Sequence, residues 1–337
     1  MTLHIGGRGA AALLFFICAF GSRFALAQTP LVLAAGDAPV VRVMMRSGTL
    51  TIRTWNRSDV QVSSAQPAVA RSFRPEAVAR ALSGSIPIFA TSVFTPNAQI
   101  TLPQEEFALG SLPPGAHQGI IVQALDADLT VMVPAGTALL LANVQRGGID
   151  VQDYRNGNFI LLLHNGPMRL RNVGGAGYAQ VARGPLMIRD SSFDRIRART
   201  AIGNILFENC ASRQIQVSSI NGTIVYDNGS FQPGLARFES ENGNVAIGVP
   251  RDGAQIGAHS SVGRIYSIIG GAPVRGGQTD AQVGSGRAIV TASSSHGAVF
   301  VYNGTLRAQR RLPAEWRPLT AGLRPRPIPG GRPHRIH

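Results

Sequence analysis

The chain has 337 residues, 44% of them hydrophobic, 6% aromatic and 15% charged, which is too apolar and too lightly charged for a wholly disordered protein. Its 2 cysteines exclude a disulfide framework or a Cys-rich zinc site. The formal net charge is +14, and +7 of it falls in residues 307–337, where eight Arg stand against Glu315.

From the N-terminus, residues 1–27 read as a secretory signal: Arg8, an apolar run from Ala10 to Phe20, then Ala25-Leu26-Ala27 before Gln28. Ile17 stands before Cys18 where a lipoprotein cleavage site requires a small residue, so a lipid anchor is not expected. Cys210 is then the single cysteine of the mature chain, read as a small core residue. No later stretch is long and apolar enough to span a bilayer.

A repeat organises the region that follows. It aligns on Gly48, Gly147, Gly166, Gly184, Gly203, Gly222, Gly243, Gly263 and Gly297, with Ala127 in the same position. From 127 to 263 the steps are 20, 19, 18, 19, 19, 21 and 20 residues. Apolar residues stand two and four places after each anchor, as in Leu50/Ile52, Leu186/Ile188, Ile205/Phe207 and Val299/Val301, and only Ile265/Ser267 breaks the pattern. A second alternation runs seven, five and three places before it, as in Val41/Val43/Met45 and Ile215/Val217/Ser219. Period-two alternation denotes a strand buried on one face. Each unit is therefore two short strands joined at the Gly, often after an Asn (Asn165, Asn221, Asn242), a residue suited to left-handed turns.

A unit this small cannot bury its apolar face alone, whereas stacked units can. The expected fold is all-β, a single-chain parallel β-solenoid (β-helix) of about ten coils, built by stacking successive units over residues 28–306. A column six places after the anchor, Asp153, Asn172, Asp190, Asn209 and Asn228, supports it, since stacked Asn and Asp can satisfy turn backbone groups and one another. Residues 63–119 form an insertion with a short helix predicted at Pro75–Leu82, and the Gly-rich stretch 270–286 reads as a loop. The insertion is expected to cover a solenoid face or end. Residues 307–337, rich in Arg, Pro and Gly, read as a disordered tail.

The segment from Gly48-Thr49-Leu50-Thr51-Ile52-Arg53-Thr54-Trp55 to Val60-Gln61-Val62, the Val133-Pro134-Ala135-Gly136 and Val249-Pro250 turns and the Asn-Gly-x-apolar-x-apolar coils resemble the bacterial putative-adhesin domain family. The resemblance covers roughly 40–62 and 120–302, and its motifs are structural. It implies a β-solenoid at the envelope or surface and carries no catalytic or ligand-binding residues. The insertion and the basic tail depart from the family pattern.

Paired carboxylates suited to glycoside cleavage are approximated only by Asp190/Asp194, Asp150/Asp153 and Glu239/Glu241. The histidines are scattered without metal-ligand spacing, Gly174-Gly175-Ala176-Gly177 lacks the Asp of a calcium-binding repeat, and Gly284-Ser285-Gly286 is no nucleophile elbow. No catalytic residue, metal or cofactor is assigned. Three places after the anchors, Met187, Leu206, Val225, Ala246, Tyr266 and Phe300 predict an outward apolar stripe, read either as a face covered within the chain or as a partner-binding face. Arg169, Arg171, Arg189, Arg195, Arg197 and Arg199 form a candidate basic face for anionic envelope components, glycans or other surface proteins. Nucleic acid is not an expected partner, because the export signal removes the chain from the cytoplasm. The leading expectation is a non-enzymatic exported adhesin or structural interaction module, periplasmic or at the cell surface. The alternative is a secreted carbohydrate-active enzyme on a β-helix.

Overall fold

The structure, a computed structural model, describes residues 30–73, 118–249, 254–267, 280–283 and 287–305. The predicted signal, the helix at 75–82 and the tail lie outside the described residues. Within them every regular element is a β-strand. In chain order, β1 (Leu31–Ala34) leads to β2 (Val40–Trp55), a long strand that forms the first coil alone. Next come β3 (Asp59–Ser64) and β4 (Ala68–Phe73). The second coil is β5 (Gly119–Asp126) with β6 (Leu129–Pro134), and the third is β7 (Leu139–Gln152). The fourth to seventh coils are β8 (Asn158–Asn165) with β9 (Met168–Arg171), β10 (Gly174–Arg183) with β11 (Leu186–Arg189), β12 (Ser192–Ile202) with β13 (Ile205–Glu208), and β14 (Ala211–Asn221) with β15 (Ile224–Asp227). The eighth is β16 (Ser230–Phe231), β17 (Leu235–Asn242) and β18 (Val245–Val249), and the ninth β19 (Gln255–Ser260) with β20 (Ile265–Ser267). After β21 (Asp280–Val283), β22 (Ile289–Ser294) and β23 (Val299–Asn303) make the tenth.

The coils pair in parallel in two ladders, one before and one after the glycine turn, so the chain is an all-β parallel β-solenoid. The stacking order corrects the expectation of successive units. The first coil lies between the second and third, with β2 pairing β5 and β6 on one side and β7 on the other. Likewise the tenth lies between the eighth and ninth, β22 pairing β17 and β19, and β23 pairing β18 and β20. At both ends the chain steps past a coil position and returns to fill it. The second coil ends at Val133-Pro134 and the eighth at Val249, with Pro next in the sequence.

The outermost coils carry antiparallel strands on their edges. β3 pairs β6, β4 pairs β5, and β1 pairs β3. At the other end β21 pairs β19, so part of the segment predicted as a Gly-rich loop is a strand. The start of the predicted insertion is strand as well, since residues 63 and 64 belong to β3 and residues 68–73 to β4. The physical reason is shared: an exposed parallel edge offers unpaired N–H and C=O groups to any neighbouring extended chain.

At the glycine turn, a Cβ on any anchor would overlap the carbonyl oxygen of the anchor in the coil below. The overlaps run Gly48 on Ala127, Gly147 on Gly48, Gly166 on Gly147, and so on to Gly297 on Gly243 and Gly263 on Gly297, reproducing the swapped stacking order. From Gly48 to Gly203 the anchors also hold φ between +114° and +148°, a region costly for L side chains. Ala127 heads the column with no coil below it, which is why this one position accepts a methyl group.

At the opposite turn Asp153, Asn172, Asp190, Asn209 and Asn228 all hold φ between 49° and 63°, the left-handed conformation these residues tolerate best. Their side chains form the expected ladder in part. Asn172 donates to Asp153, Asn209 to Asp190 at 3.0 Å, and Asn228 to Asn209 at 2.5 Å. A carboxylate cannot donate onward, so between Asp190 and Asn172 the ladder breaks, and Arg155 Nε supplies the Asn172 carbonyl at 2.8 Å instead.

The interior is a continuous apolar column, with ring contacts such as Tyr226 stacked on Phe231 at 4.6 Å and Gly177 leaving room for the Phe159 ring. Inward positions that carry hydroxyls are satisfied by the glycine turns. Ser240 Oγ donates to Gly222 O (2.9 Å), Ser294 to Gly243 O (2.7 Å) and Ser260 to Gly297 O (2.8 Å), each reaching the coil below. The irregular pair Ile265/Ser267 keeps the register, both residues being buried.

Gly166→Ala should lower unfolding stability by about 3 kcal/mol or more, whereas Ala127→Gly should cost roughly 1 kcal/mol, measured by urea denaturation. Asp at Leu186 or Ile205 should abolish cooperative unfolding, because both side chains are fully buried and the charge would lie unpaired in the core. Asp at Gln216 should be tolerated, since that outward side chain already accepts hydrogen bonds from Arg197 at 2.6 and 2.9 Å.

Candidate interaction faces

Two outward surfaces follow from the two ladders. On the ladder after the glycine turn, the predicted stripe is in strict register: Met187 opposite Leu206, then Val225, Ala246, Phe300 and Tyr266. It forms one cluster, joined by Tyr302, with Tyr266 and Phe300 stacked at 5.1 Å. Although these positions point away from the core, Leu206, Val225, Ala246 and Phe300 are only 0–7% exposed, while Met187 and Tyr266 stay partly exposed. Below Met187 the same column turns polar, with Arg169, Asp150, Thr51 and Thr130 in succession. The next outward column places Tyr302 Oη 3.1 Å from the buried Asp227 carboxylate. Burial, and then Asp227, hold that phenol well above its ordinary range.

The ladder before the turn carries an apolar patch that the sequence reading missed. Leu141, Ile160, Leu162 and Tyr178 occupy outward positions yet are 1–7% exposed, and Arg42 is buried beside them, its guanidinium pKa lowered by desolvation. The outward sites of this ladder read as mostly polar from Arg197/Arg199, Gln216/Ser218 and Arg237/Glu239, whereas the earlier coils carry apolar residues at the same sites. The two apolar patches sit in different halves of the molecule, on the two sides of the glycine turn.

The six candidate arginines do not form one face. Arg169, Arg171 and Arg189 stand on the ladder after the turn, Arg195, Arg197 and Arg199 on the ladder before it. Sequence proximity grouped residues that the turn separates. Several are engaged within the fold: Arg189 Nε pairs Glu208 at 2.9 Å, Arg171 lies 3.7 Å from Asp190, Arg197 holds Gln216, and Arg199 Nε donates to Ser218 at 3.2 Å.

Of the carboxylate pairs, Asp153 and Asp190 belong to the left-handed turns, and Asp150 accepts from Gln152 at 3.0 Å. Glu239 and Glu241 do line an open groove of about 290 Å³ with Arg199, Ser218, Ser293 and Ser295. There Arg237 binds Glu239 at 2.5 Å. Among the described residues no group of three His, Cys, Asp or Glu is placed to hold a metal ion. No helix among them is long and apolar enough to cross a membrane.

Cys210 is buried beside the Asn209 turn, its Sγ 3.3 Å from Glu208 O and 3.5 Å from Ile188 O. Burial pushes its thiol up to about 12.

No family model matches the chain, and no curated protein matches it. A search of solved structures finds a putative cell adhesion protein from Clostridium sporogenes ATCC 15579, a crystal structure at 1.95 Å resolution, 7% identical to this chain. The match covers 82% of this chain and 99% of that one at a TM-score of 0.25, too low to carry an argument.

Because the raised thiol pKa favours the neutral form in the fold, its stabilising contribution is complete below the unfolded thiol's value near 9 and is lost as pH rises toward about 12. At pH 8 a thiol reagent should therefore label Cys210 only as fast as the chain opens, with full reactivity in urea. Prompt labelling of the native chain would show the site to be open.

Proposed function

We propose that the chain is an exported, non-enzymatic β-solenoid of the bacterial envelope, an adhesin or structural interaction module that binds through its lateral faces. The observation that carries this reading is the continuous parallel pairing of both ladders over ten coils, whose register shifts at Gly175/Ala176 and between β16 and β17 but holds along the strands next to the glycine turn. Nine coil spacings of about 4.8 Å give each face a length of roughly 43 Å. Outward side chains then repeat at fixed intervals, a geometry matched to an extended partner such as a glycan chain or another surface protein. The signal-like residues 1–27 support export, and the +7 charge of residues 307–337 adds salt-sensitive attraction to anionic envelope components.

The groove holding Glu239 and Glu241 keeps one second reading in play, cleavage of a carbohydrate. The Arg237–Glu239 ion pair favours a structural role for that carboxylate, and substitution of both glutamates by Gln should leave binding unchanged.

Co-sedimentation of 28–337 and the tail-less 28–306 with bacterial envelopes, at low and high salt, tests the proposal. Both forms should bind, the tail adding only a salt-sensitive increment. Binding by the tailed form alone, abolished by salt, would assign attachment to the tail. Binding by neither would remove envelope attachment and turn attention to hydrolysis of soluble glycans.

A further inference from the structure

Several outward arginines meet a carboxylate on the same or a neighbouring coil: Arg46 meets Asp126, Arg57 meets Asp59, Arg189 meets Glu208 and Arg237 meets Glu239. On the rim of the glycine turn two arginines without such an acceptor stand close together. Arg146 of β7 and Arg183 of β10 stand in register on either side of Asn165 of β8, one strand spacing away each. Both arginines are exposed and neither has an ion-pair partner among the described residues. An amide, which cannot neutralise them, occupies the position between.

His164, half-buried, precedes Asn165 on β8, and the residues that precede Arg146 and Arg183 on the neighbouring strands are Gln145 and Ala182, neither of them a carboxylate. Its Nδ1 is buried and has no hydrogen-bond partner. Desolvation first, then the positive charges of Arg183 and Arg146, lower its pKa and favour the neutral ring. In the same column Asp126 is taken up by Arg46 and Ser47 and leaves the two arginines uncompensated.

We propose that Arg146, His164, Asn165 and Arg183 form an oxyanion site that takes phosphate or sulfate, free or as the monoester of a sugar. Two guanidinium groups offer forked donors that fit tetrahedral oxygens, and the Asn165 amide supplies a neutral donor between them. A bound anion offsets the arginine charge that adds to desolvation at His164, so binding raises the His164 pKa and, by linkage, tightens as pH falls through its midpoint. The site holds whether or not the lateral faces bind an envelope. It joins two coils that are not adjacent in the stack, Arg146 and Arg183 lying 37 residues apart in sequence.

Histidine-labelled full-length chain should be followed by NMR while sodium sulfate replaces chloride at constant ionic strength. The His164 ring should shift saturably, with its titration midpoint moving up, while His259 and His296 serve as internal references. Arg146→Gln with Arg183→Gln should weaken sulfate binding by about tenfold or more with the spectrum otherwise intact. Should the double variant misfold, Arg183→Gln alone, at an exposed position, carries the test. Repeating the titration with inorganic phosphate and with glucose 6-phosphate separates the sources: a tighter ester assigns the site to phosphorylated sugars, and equal or weaker binding to the free anion. A His164 shift no larger than those of the reference histidines, or one unchanged in the arginine variant, overturns the proposal.

Discussion

The approach of one glycine turn to the next sets the limits for everything else in this molecule. Each anchor lies so close to the carbonyl beneath it that no Cβ fits, and that closeness brings the flanking strands into two parallel ladders in register at the turn. Once the turns are stacked, the inward alternation of both strands fills one continuous apolar column, and the hydroxyls of Ser240, Ser260 and Ser294 find glycine carbonyls as acceptors. The left-handed Asn and Asp positions close the other corner, where a short polar side chain both tolerates the backbone and bonds to its neighbour. The two corners divide the labour: the glycine corner sets spacing by exclusion, the Asn/Asp corner by hydrogen bonding.

A repeat whose units are interchangeable leaves their order open, and here the chain uses that freedom at both ends. Any coil with this alternation can lie beside any other, so the connections decide. Coils with a left-handed Asn or Asp six places after the anchor pass directly to the next position, whereas the two with Val there, Val133 and Val249, step over one. The step leaves a gap that an earlier coil (β2) or a later one (β22 and β23) occupies, with the result that each end is tied by contacts distant in sequence. Such ends are harder to fray than a terminal coil held by one neighbour, and the antiparallel strands beyond them cap most of the remaining edge.

The outer surface is less uniform than the core. Apolar columns occupy one half of each ladder and polar columns the other, so each face changes character along its length. Several arginines are paired locally, as Arg189 with Glu208 and Arg197 with Gln216 one coil away. On the rim of the glycine turn Arg146 and Arg183 flank Asn165 without an ion-pair partner among the described residues.

Much of this was legible in the residue order. The glycine spacing, the alternation on either side of it and the Asn/Asp column each report a constraint that every coil must satisfy locally, and a constraint repeated ten times is visible without a fold. Even Ala127 was identifiable as an anchor, although only the stack explains it. The stripe from Met187 to Phe300 was readable for the same reason, because a column of equivalent positions is a property of the period. What the order of residues could not contain was any relation between units: that the first coil sits inside the second, that β21 pairs with β19, that Arg169 and Arg199 face different ways, or that Arg146 and Arg183 flank one histidine. The period determined the shape of a coil, since that depends on near neighbours in the chain. The position of each coil, and therefore the composition of every surface, was decided by tertiary structure, since parallel pairing joins residues that the sequence keeps at least a full turn apart.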